Sequence, residues 1–224
     1  MDPRPSVVVF DVNETLSDMT PLAARFTEVG APGLLAAVWF GAVLRDGFAL
    51  AATGGNETFG RLGEGMLRAV LAGTPLNRPV GAAVSHILAS LDDLAVHPDV
   101  PPAVRILRGH GLRLVTLSNG AASIADRLLR RAGLRNEFEQ LLSVEDAGAW
   151  KPAATAYAYA ARACSASVGQ LLLAAVHPWD IHGAHWAGLR TGWVSRQPAP
   201  YPGYFAAPDL RAADLAVLAR QIVS

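Results

Sequence analysis

A short apolar run that ends in an acid is the feature that most constrains the fold of this chain. Val7 to Phe10 are β-branched or aromatic without a polar break, and Asp11 follows directly. Such a run predicts a central parallel strand that is buried on both faces. Asp11 would then stand at the carboxyl end of the strand, where open α/β sheets bind their ligands. Because desolvation of a carboxylate is costly unless it is paired or hydrogen-bonded, Asp11 is a candidate functional residue.

The alternative to a functional role for Asp11 is that this acid only caps a following helix. The residues of the loop after Asp11 help to decide between the two roles. Asn13 and Thr15 place two short polar side chains in the loop. The backbone N–H groups of a turn at this position can surround an oxyanion. The loop from Val12 to Thr15 therefore favours a binding or catalytic role over capping.

Composition and length exclude several classes of function. The 224 residues suffice for one α/β domain with a small inserted one, and the formal net charge is zero. A balanced charge gives no indication of a nucleic-acid or anionic-lipid partner. The single cysteine, Cys164, is typical of a protein in a reducing cytosol. The apolar runs are too short for a signal peptide or a membrane span, so we expect a soluble cytoplasmic protein without a membrane partner.

The rest of the chain alternates between strand patterns and helix patterns. Apolar strands are predicted at residues 112–117, 141–144, 171–176 and 191–195, with helices between them and a terminal helix over 212–222. Strands that alternate with helices in this way predict an α/β fold with a doubly wound parallel sheet.

The segment from residue 17 to residue 96 has no strand pattern and consists of predicted helices. We therefore predict an α/β core formed by residues 1–16 and 97–224, with a helical cap inserted at 17–96. Within the cap, residues 34–50 are apolar on nearly every side. Such a helix is expected to be buried all round or to pack against a second subunit, which suggests a homodimer through the cap helices.

Ser118 and Asn119 follow the second predicted strand and precede a predicted helix at Ala121. A hydroxyl, an amide and the N–H groups of a helix start together make an anion site. The alternative is an ordinary helix N-cap, for which serine and asparagine are both common.

Lys151 is the only lysine in a chain that has eighteen arginines. Where such a chain retains a lysine, a compact ammonium is favoured over a planar guanidinium, although a solvated surface lysine is the alternative. Pro152 is expected to begin a helix, which would place Lys151 just before the first turn and facing the site. A cation close to Asp11 would keep the carboxylate ionised and therefore nucleophilic.

Asp180 follows the buried strand at 171–176 and should stand near Asp11. Two acids supply few oxygen ligands for a magnesium ion, so the pattern favours no metal and no other cofactor. Capping of the helix that follows is the alternative role for Asp180.

Four short motifs now occur in order, namely FDVNETLSD, LSNG, WKP and HPWD. Their order and spacing resemble the haloacid dehalogenase superfamily, in which the aspartate after the first strand is the nucleophile. Phosphatases of that superfamily carry a second acid two residues later, and Asn13 stands there in this chain. The L-2-haloacid dehalogenase branch also lacks the second acid, so the resemblance implies carbon–halogen chemistry.

The resemblance implies a role for each matching residue. Asp11 would attack the carbon that bears the halogen, and Asp180 would activate water to cleave the aspartyl ester. Lys151 and Thr15 would stabilise anions, Ser118 would hold the substrate carboxylate, and Asn119 would line the halide pocket. The remaining substrate-binding candidates are loop or aromatic residues, namely Val12, Asn13, Trp39, Phe40, Tyr157, His177 and Trp179.

Three departures from the dehalogenase pattern concern the halide and the water. Phe40 occupies the cap position where the branch carries an arginine after a tryptophan, and Arg45 lies about 140° further round the helix. Ala175 and His177 replace a serine and an asparagine of the branch. The neutral donors left for the halide are Asn119, the Trp39 and Trp179 indoles, and His177.

The function predicted from the sequence is hydrolytic dehalogenation of small 2-haloacids through an aspartyl ester on Asp11. One alternative is a phosphatase-like hydrolase that uses Mg²⁺, which Asn13 disfavours. The other is a non-catalytic binding protein on the same scaffold, which the complete set of Asp11, Ser118, Lys151 and Asp180 disfavours.

Overall fold

A computed structural model describes residues 5–197 and 199–224. Its centre is one parallel sheet of six strands in the order β3-β2-β1-β4-β5-β6. The strands are β1 (Val7–Phe10), β2 (Arg113–Ser118), β3 (Gln140–Ser143), β4 (Leu171–Ala175), β5 (Arg190–Val194) and β6 (Leu210–Ala212). The strand order reverses at β1, which is the topological switch point of a doubly wound sheet. The predicted fold class is confirmed.

Ten α-helices are found in the described part of the chain. They are α1 (Leu22–Glu28), α2 (Leu35–Ala52), α3 (Phe59–Val70), α4 (Val80–Ala89), α5 (Val100–Gly109), α6 (Ala122–Arg131), α7 (Val144–Ala147), α8 (Ala154–Ala163), α9 (Pro178–Trp186) and α10 (Leu215–Val223). Short 3₁₀ turns follow α4, α6 and α8.

The two faces of the sheet bury two separate apolar clusters. In β1, Val8 and Phe10 belong to the larger cluster, whereas Val7 and Val9 belong to the other. This alternation follows from the two-residue period of a strand. All four side chains are at most 1% exposed. The expectation of a strand buried on both faces is therefore confirmed, and it explains why β1 has no polar residue before Asp11.

Helices α1 to α4, followed by α5, fill the segment between β1 and β2, where the described residues form isolated bridges and no strand. Ser17 bridges to both Asn13 and Val96, so the two ends of the helical segment lie side by side. The division into a core and a cap at residues 17–96 stays a prediction, with which this arrangement agrees.

Helix α2 differs from the expectation that it is buried all round. Trp39, Phe40, Val43 and Gly47 are buried, and the helix packs mainly on α3. On the other side Val38 is 50% exposed. By length and composition alone α2 could cross a membrane, but the core helix of a soluble protein passes the same test. Helix α2 is therefore apolar on nearly every side although only one of its faces is buried.

Trp150 joins the helical segment to the loop that carries Lys151. Its indole N–H donates to the Glu57 carbonyl at 2.8 Å. A Cβ atom on Gly47 would lie 2.3 Å from the Trp150 ring, so only glycine lets α2 approach this closely. The contact holds α2 against the residue that precedes the predicted catalytic lysine.

Two predicted helix starts are wrong. Pro152 does not begin a helix, because residues 151–153 form a turn and α8 starts at Ala154. The terminal helix starts at Leu215, where Asp214 caps it by accepting the Val217 N–H at 2.7 Å. The residues before it form β6, an edge strand that is too short to show a strand period in the sequence.

Candidate active site

Asp11 lies at the carboxyl end of β1, and both of its oxygens accept hydrogen bonds. The Lys151 ammonium donates to Oδ1 at 2.8 Å, and the Thr15 hydroxyl donates to Oδ2 at 2.6 Å. The residue is only 3% exposed. Burial disfavours the carboxylate, yet the charges of Lys151 and His177 hold the pKa of Asp11 well below its usual range. Asp11 is therefore an ionised and largely desolvated nucleophile candidate.

Lys151 bridges two carboxylates in the interior. Its Nζ lies 2.8 Å from Asp11 Oδ1 and 2.6 Å from Asp180 Oδ2, and the side chain is fully buried. Although burial opposes the charged form, the two carboxylates raise the pKa of Lys151 above its ordinary value. The alternative of a solvated surface lysine is wrong, because the turn at residues 151–153 directs this side chain inwards.

Asn119 positions the backbone of Lys151. The Lys151 N–H donates to Asn119 Oδ1 at 2.9 Å, and the Asn119 amide donates to the Lys151 carbonyl at 3.3 Å. This pair ties the end of β2 to the lysine loop. The sequence did not indicate this positioning contact, and the role of Asn119 in a halide pocket stays a prediction.

Asp180, in the first turn of α9, completes the buried charge cluster. It is fully buried, and the Tyr157 hydroxyl donates to its Oδ1 at 2.6 Å. Burial and the charge of Asp11 raise the pKa of Asp180, despite the opposing ammonium of Lys151. Burial, together with Asp180, also raises the pKa of Tyr157 well above its ordinary value, so the phenol stays a donor. The two aspartates thus differ in basicity, as a nucleophile and a general base must.

Gly183 lets α9 approach Tyr157 closely. A Cβ atom at this position would lie 2.6 Å from the Tyr157 hydroxyl and 2.6 Å from Pro152. The missing side chain therefore brings Asp180 within reach of both Tyr157 and Lys151. Tyr157 is therefore more than a packing residue, since its hydroxyl bonds directly to Asp180. Its contact with a substrate stays a prediction.

His177 connects Asp11 to Glu14, a residue that the sequence did not single out. Nδ1 of the ring lies 3.1 Å from Asp11 Oδ2, and Nε2 lies 2.9 Å from Glu14 Oε2. Since carboxylates only accept, both ring nitrogens must donate, which requires the imidazolium. Burial opposes this charge, but the hydrogen bonds to the two carboxylates raise the pKa of His177 to about 9.

Glu14 reaches His177 from an unusual backbone conformation. Its φ angle is 60°, in the left-handed region that residues other than glycine seldom adopt. An acid inside the motif after β1 was the available signal for Glu14, but a sequence pattern does not show the sign of φ.

Ser118, at the end of β2, and the start of α6 form a further side of the candidate active site. Ser118 is 2% exposed, and its hydroxyl oxygen accepts the Gly120 N–H at 2.9 Å. Helix α6 begins without a side-chain cap, so the structure does not support the alternative that Ser118 or Asn119 is its N-cap. Contact of Ser118 with a substrate carboxylate stays a prediction.

A cavity of about 280 Å³ opens on this side of the site. Val12, Asn13 and Gly120 line it on the core side, and Phe59 and Leu88 line it on the side of the helical segment. Val12 is buried and Asn13 is half-buried. Both loop residues therefore line this cavity, and their contact with a substrate stays a prediction.

Comparison with known proteins identifies the family. The sequence matches the family model of haloacid dehalogenase-like hydrolases over residues 5–188. The chain belongs to this family. The superfamily that the four motifs resemble is thus confirmed.

Individual relatives carry dehalogenase names. Haloacetate dehalogenase H-2 from Moraxella sp. (strain B) is 35% identical over 112 residues, which is 50% of this chain and 50% of that protein. An (S)-2-haloacid dehalogenase from Pseudomonas putida is 25% identical over 231 aligned positions, covering 97% of this chain and 96% of that protein. The crystal structure of an L-2-haloacid dehalogenase has a TM-score of 0.91 at 27% identity, covering 99% of this chain and 100% of that one. Among the curated relatives of higher identity, the chain spans about half the length of the Moraxella enzyme.

Aromatic residues close the site where the dehalogenase pattern would place an arginine. Phe40 is 7% exposed, and its ring lies 6.2 Å from the ring of His177. His177 also stacks on Trp179 at 4.9 Å between ring centroids. Arg45 points away, as predicted, and pairs with Asp46 on the surface. The cationic group that Phe40 contacts is therefore the imidazolium of His177.

Trp39 does not serve as the neutral donor that the sequence suggested. Its single indole N–H donates to the Gly63 carbonyl at 2.9 Å, and the side chain is fully buried. The prediction that this N–H could receive a halide is wrong, because the donor is used within the helical segment. Trp39 instead packs against Phe40 and Phe59, at 6.5 Å and 6.2 Å between centroids.

Lys151→Arg is expected to lower kcat/KM at least tenfold, which is about 1.4 kcal/mol in transition-state energy. A guanidinium is larger and planar, so it cannot donate to both carboxylates from the space that Nζ occupies. Steady-state kinetics on the substrate found in the panel described below would measure the effect. Arg45→Lys, on the exposed side of α2, is the control and should leave the kinetics unchanged. Wild-type kinetics for Lys151→Arg would contradict a role in the reaction.

Proposed function

We propose that this protein is a hydrolytic dehalogenase of small 2-haloacids that works through an aspartyl ester on Asp11. One observation carries the proposal: a buried ammonium lies between two aspartates, and Asn13 stands where a phosphatase would have a second acid. The names of the haloacetate and 2-haloacid dehalogenases that resemble this chain support the substrate class.

In the first step an oxygen of Asp11 attacks the carbon that bears the halogen. A carbon–oxygen bond forms while the carbon–halogen electron pair leaves with the halide. Lys151 and Thr15 hold the carboxylate in place, and the buried site offers little water to compete. The Ser118 hydroxyl and the start of α6 are the proposed site for the carboxylate of the substrate.

In the second step Asp180 takes a proton from water, which attacks Cγ of Asp11. The tetrahedral intermediate collapses, and the 2-hydroxyacid leaves with the oxygen that Asp11 supplied and with the proton that Asp180 returns to it. The second proton of the water is released to solvent as Asp11 regenerates its carboxylate. The raised pKa of Asp180 suits this role, because a more basic carboxylate accepts a proton more readily. Lys151 stays beside both groups and compensates the charge in each step.

Two rival functions fit less well. A phosphatase-like hydrolase would need Mg²⁺, and no group of three or more acidic, histidine or cysteine side chains suited to a metal is found in the described residues. Asn13 also cannot exchange a proton near neutral pH. A non-catalytic binding protein would have little use for three buried charges held at 2.6–2.8 Å.

A panel assay tests the proposed function. Release of halide and of phosphate would be followed for haloacetates, longer 2-haloacids and phosphomonoesters, with and without EDTA. We expect halide release from haloacetates, slower release from longer acids because aromatic rings enclose the site, and no effect of EDTA. Activity that EDTA abolishes and Mg²⁺ restores would instead support the phosphatase. No release from any compound would support the binding protein.

We also propose a homodimer through the cap helices. The exposed apolar side of α2 supports this, since Leu34 and Val38 are 70% and 50% exposed. Sedimentation of the purified protein would test the dimer, since a monomer at all concentrations contradicts it.

A cytoplasmic location, without nucleic-acid or membrane partners, is proposed from the balanced charge and the single cysteine.

A further inference from the structure

The two oxygens of Asp11 have different surroundings. Oδ2 accepts from the Thr15 hydroxyl at 2.6 Å and faces His177 Nδ1 at 3.1 Å. Oδ1 accepts from the Lys151 ammonium at 2.8 Å. Two donors converge on Oδ2, whereas Oδ1 accepts from the Lys151 ammonium, which is shared with Asp180. Oδ1 is therefore better placed to attack carbon, and Oδ2 to remain as the carbonyl oxygen of the ester.

A carbonyl oxygen that already faces two donors is prepared for negative charge. When water attacks Cγ, the electron pair of the carbonyl moves to Oδ2, and hydrolysis depends on how well that oxyanion is stabilised. Thr15 supplies a neutral hydroxyl. His177 supplies a ring N–H from 3.1 Å, and a charged donor stabilises an oxyanion more strongly than a neutral one.

Glu14 is the carboxylate that still faces His177 once Asp11 is esterified and has lost its charge. Its carboxylate lies 2.9 Å from Nε2, on the side of the ring opposite Asp11, so the ring is held between two acceptors. The Glu14 side chain is 47% exposed, whereas that of His177 is 11% exposed. Stacking on Trp179 and the neighbouring Phe40 keep the ring from turning away.

We propose that Glu14 is a positioning residue that holds His177 as an imidazolium against Oδ2 of Asp11, where it stabilises the oxyanion formed during hydrolysis of the aspartyl ester. This inference rests on the proposed function, because it needs the ester to form. His177 stands where the dehalogenase pattern has an asparagine. The inference gives this histidine a role in hydrolysis of the ester, beside the base Asp180, rather than in the attack on carbon.

The charged groups around His177 come from several elements. Asp11 and Glu14 belong to the loop after β1, Lys151 and Asp180 lie beyond Asp11, Arg196 lines a cavity with His177, and His97 contacts the Glu14 carbonyl. Arg196 itself pairs with Asp99. Burial lowers the pKa of His97, so it adds little charge near neutral pH. The two carboxylates in direct contact thus dominate the state of the ring.

The pH dependence has a defined sign. The pKa of His177 is raised to about 9, so the imidazolium is present at neutral pH and is lost as the pH rises through that value. That value includes the negative charge of Asp11, which the ester loses, so the imidazolium of the ester state depends on Glu14. Hydrolysis of the ester should slow as the pH rises and this proton is lost. Glu14→Gln keeps the length and an acceptor oxygen but removes the charge, so the loss should move to lower pH.

Glu14→Gln is the decisive variant. We expect kcat to fall about tenfold or more, and its alkaline limb to shift down by about one pH unit. Because alkylation is affected less than hydrolysis, mass spectrometry of the variant during turnover of a haloacetate should show the ester accumulating on Asp11. Glu28→Gln is the matched control, since Glu28 Oε2 contacts His86 Nε2 at 2.7 Å on the exposed helical segment. It should change neither the pH profile nor the ester level.

A second readout separates failure of this inference from failure of the proposed function. NMR of histidine-labelled resting protein reports the protonation of His177 without any substrate, with His177→Gln assigning its signal. A lower His177 pKa in Glu14→Gln supports the positioning role, and an unchanged pKa overturns it. If the wild type turns over haloacids but Glu14→Gln neither accumulates ester nor shifts the pH profile, the oxyanion role is wrong. If no haloacid alkylates the wild type, the proposed function fails, and the oxyanion role fails with it.

Discussion

Asp11→Asn is expected to lower turnover by a factor on the order of 10⁴ or more, as replacement of a covalent nucleophile does. An amide lacks the negative charge that attacks carbon, while its size and shape match the carboxylate. Its oxygen can still accept from Lys151, and its N–H₂ group can donate to a neutral His177, so the fold should survive. Halide release and the thermal unfolding midpoint, measured on the same preparation, would show the two effects separately.

Asp18→Asn is the matched control for this variant. Asp18 lies in the same loop, but its carboxylate accepts the Thr20 N–H at 3.0 Å and lies outside the charge cluster. Its turnover should equal that of the wild type. A single turnover of the wild type in heavy-oxygen water adds an independent test, because the first product must carry the light oxygen of Asp11. Heavy oxygen in that first product would show that water attacks the substrate directly.

The main part of this site could be predicted because parallel strands end at one edge of a sheet. Asp11 and Ser118 close neighbouring strands, with Phe10 opposite Thr116 in the register, and Asp180 follows β4 on the other side of β1. Apolar runs in the sequence locate these strands, and the polar residue after each run locates the site. The inward course of Lys151 was also predictable, although the helix start inferred at Pro152 was wrong.

The remaining contacts depend on geometry that sequence patterns do not carry. Glu14 reaches His177 only because its backbone adopts a positive φ, which is uncommon for glutamate. The Trp39 indole was a reasonable halide donor until its N–H was found on the Gly63 carbonyl, a pairing that depends on how α2 packs on α3. Partners that lie far apart in the chain follow from packing, and composition or period cannot choose among them.

Asp180→Asn is expected to stop turnover as completely as Asp11→Asn but at the other half-reaction. Asp11 and Lys151 remain paired at 2.8 Å, so alkylation should proceed. The amide cannot take a proton from water, so the ester should persist. One equivalent of halide should be released in a burst, and the intact protein should gain the mass of one carboxymethyl group after reaction with a haloacetate.

The structure indicates that Asp180→Asn can fold. Its amide oxygen can accept from Lys151, and its N–H₂ group can donate to the Tyr157 oxygen, which can turn its own hydrogen towards the Asp180 carbonyl at 3.2 Å. Removal of one carboxylate leaves Lys151 with Asp11 as its single charged partner, so a modest loss of stability is expected. Peptide mapping must place the added mass on Asp11. A variant that releases halide continuously, or that gains no mass, would show that Asp180 is not the base that activates water.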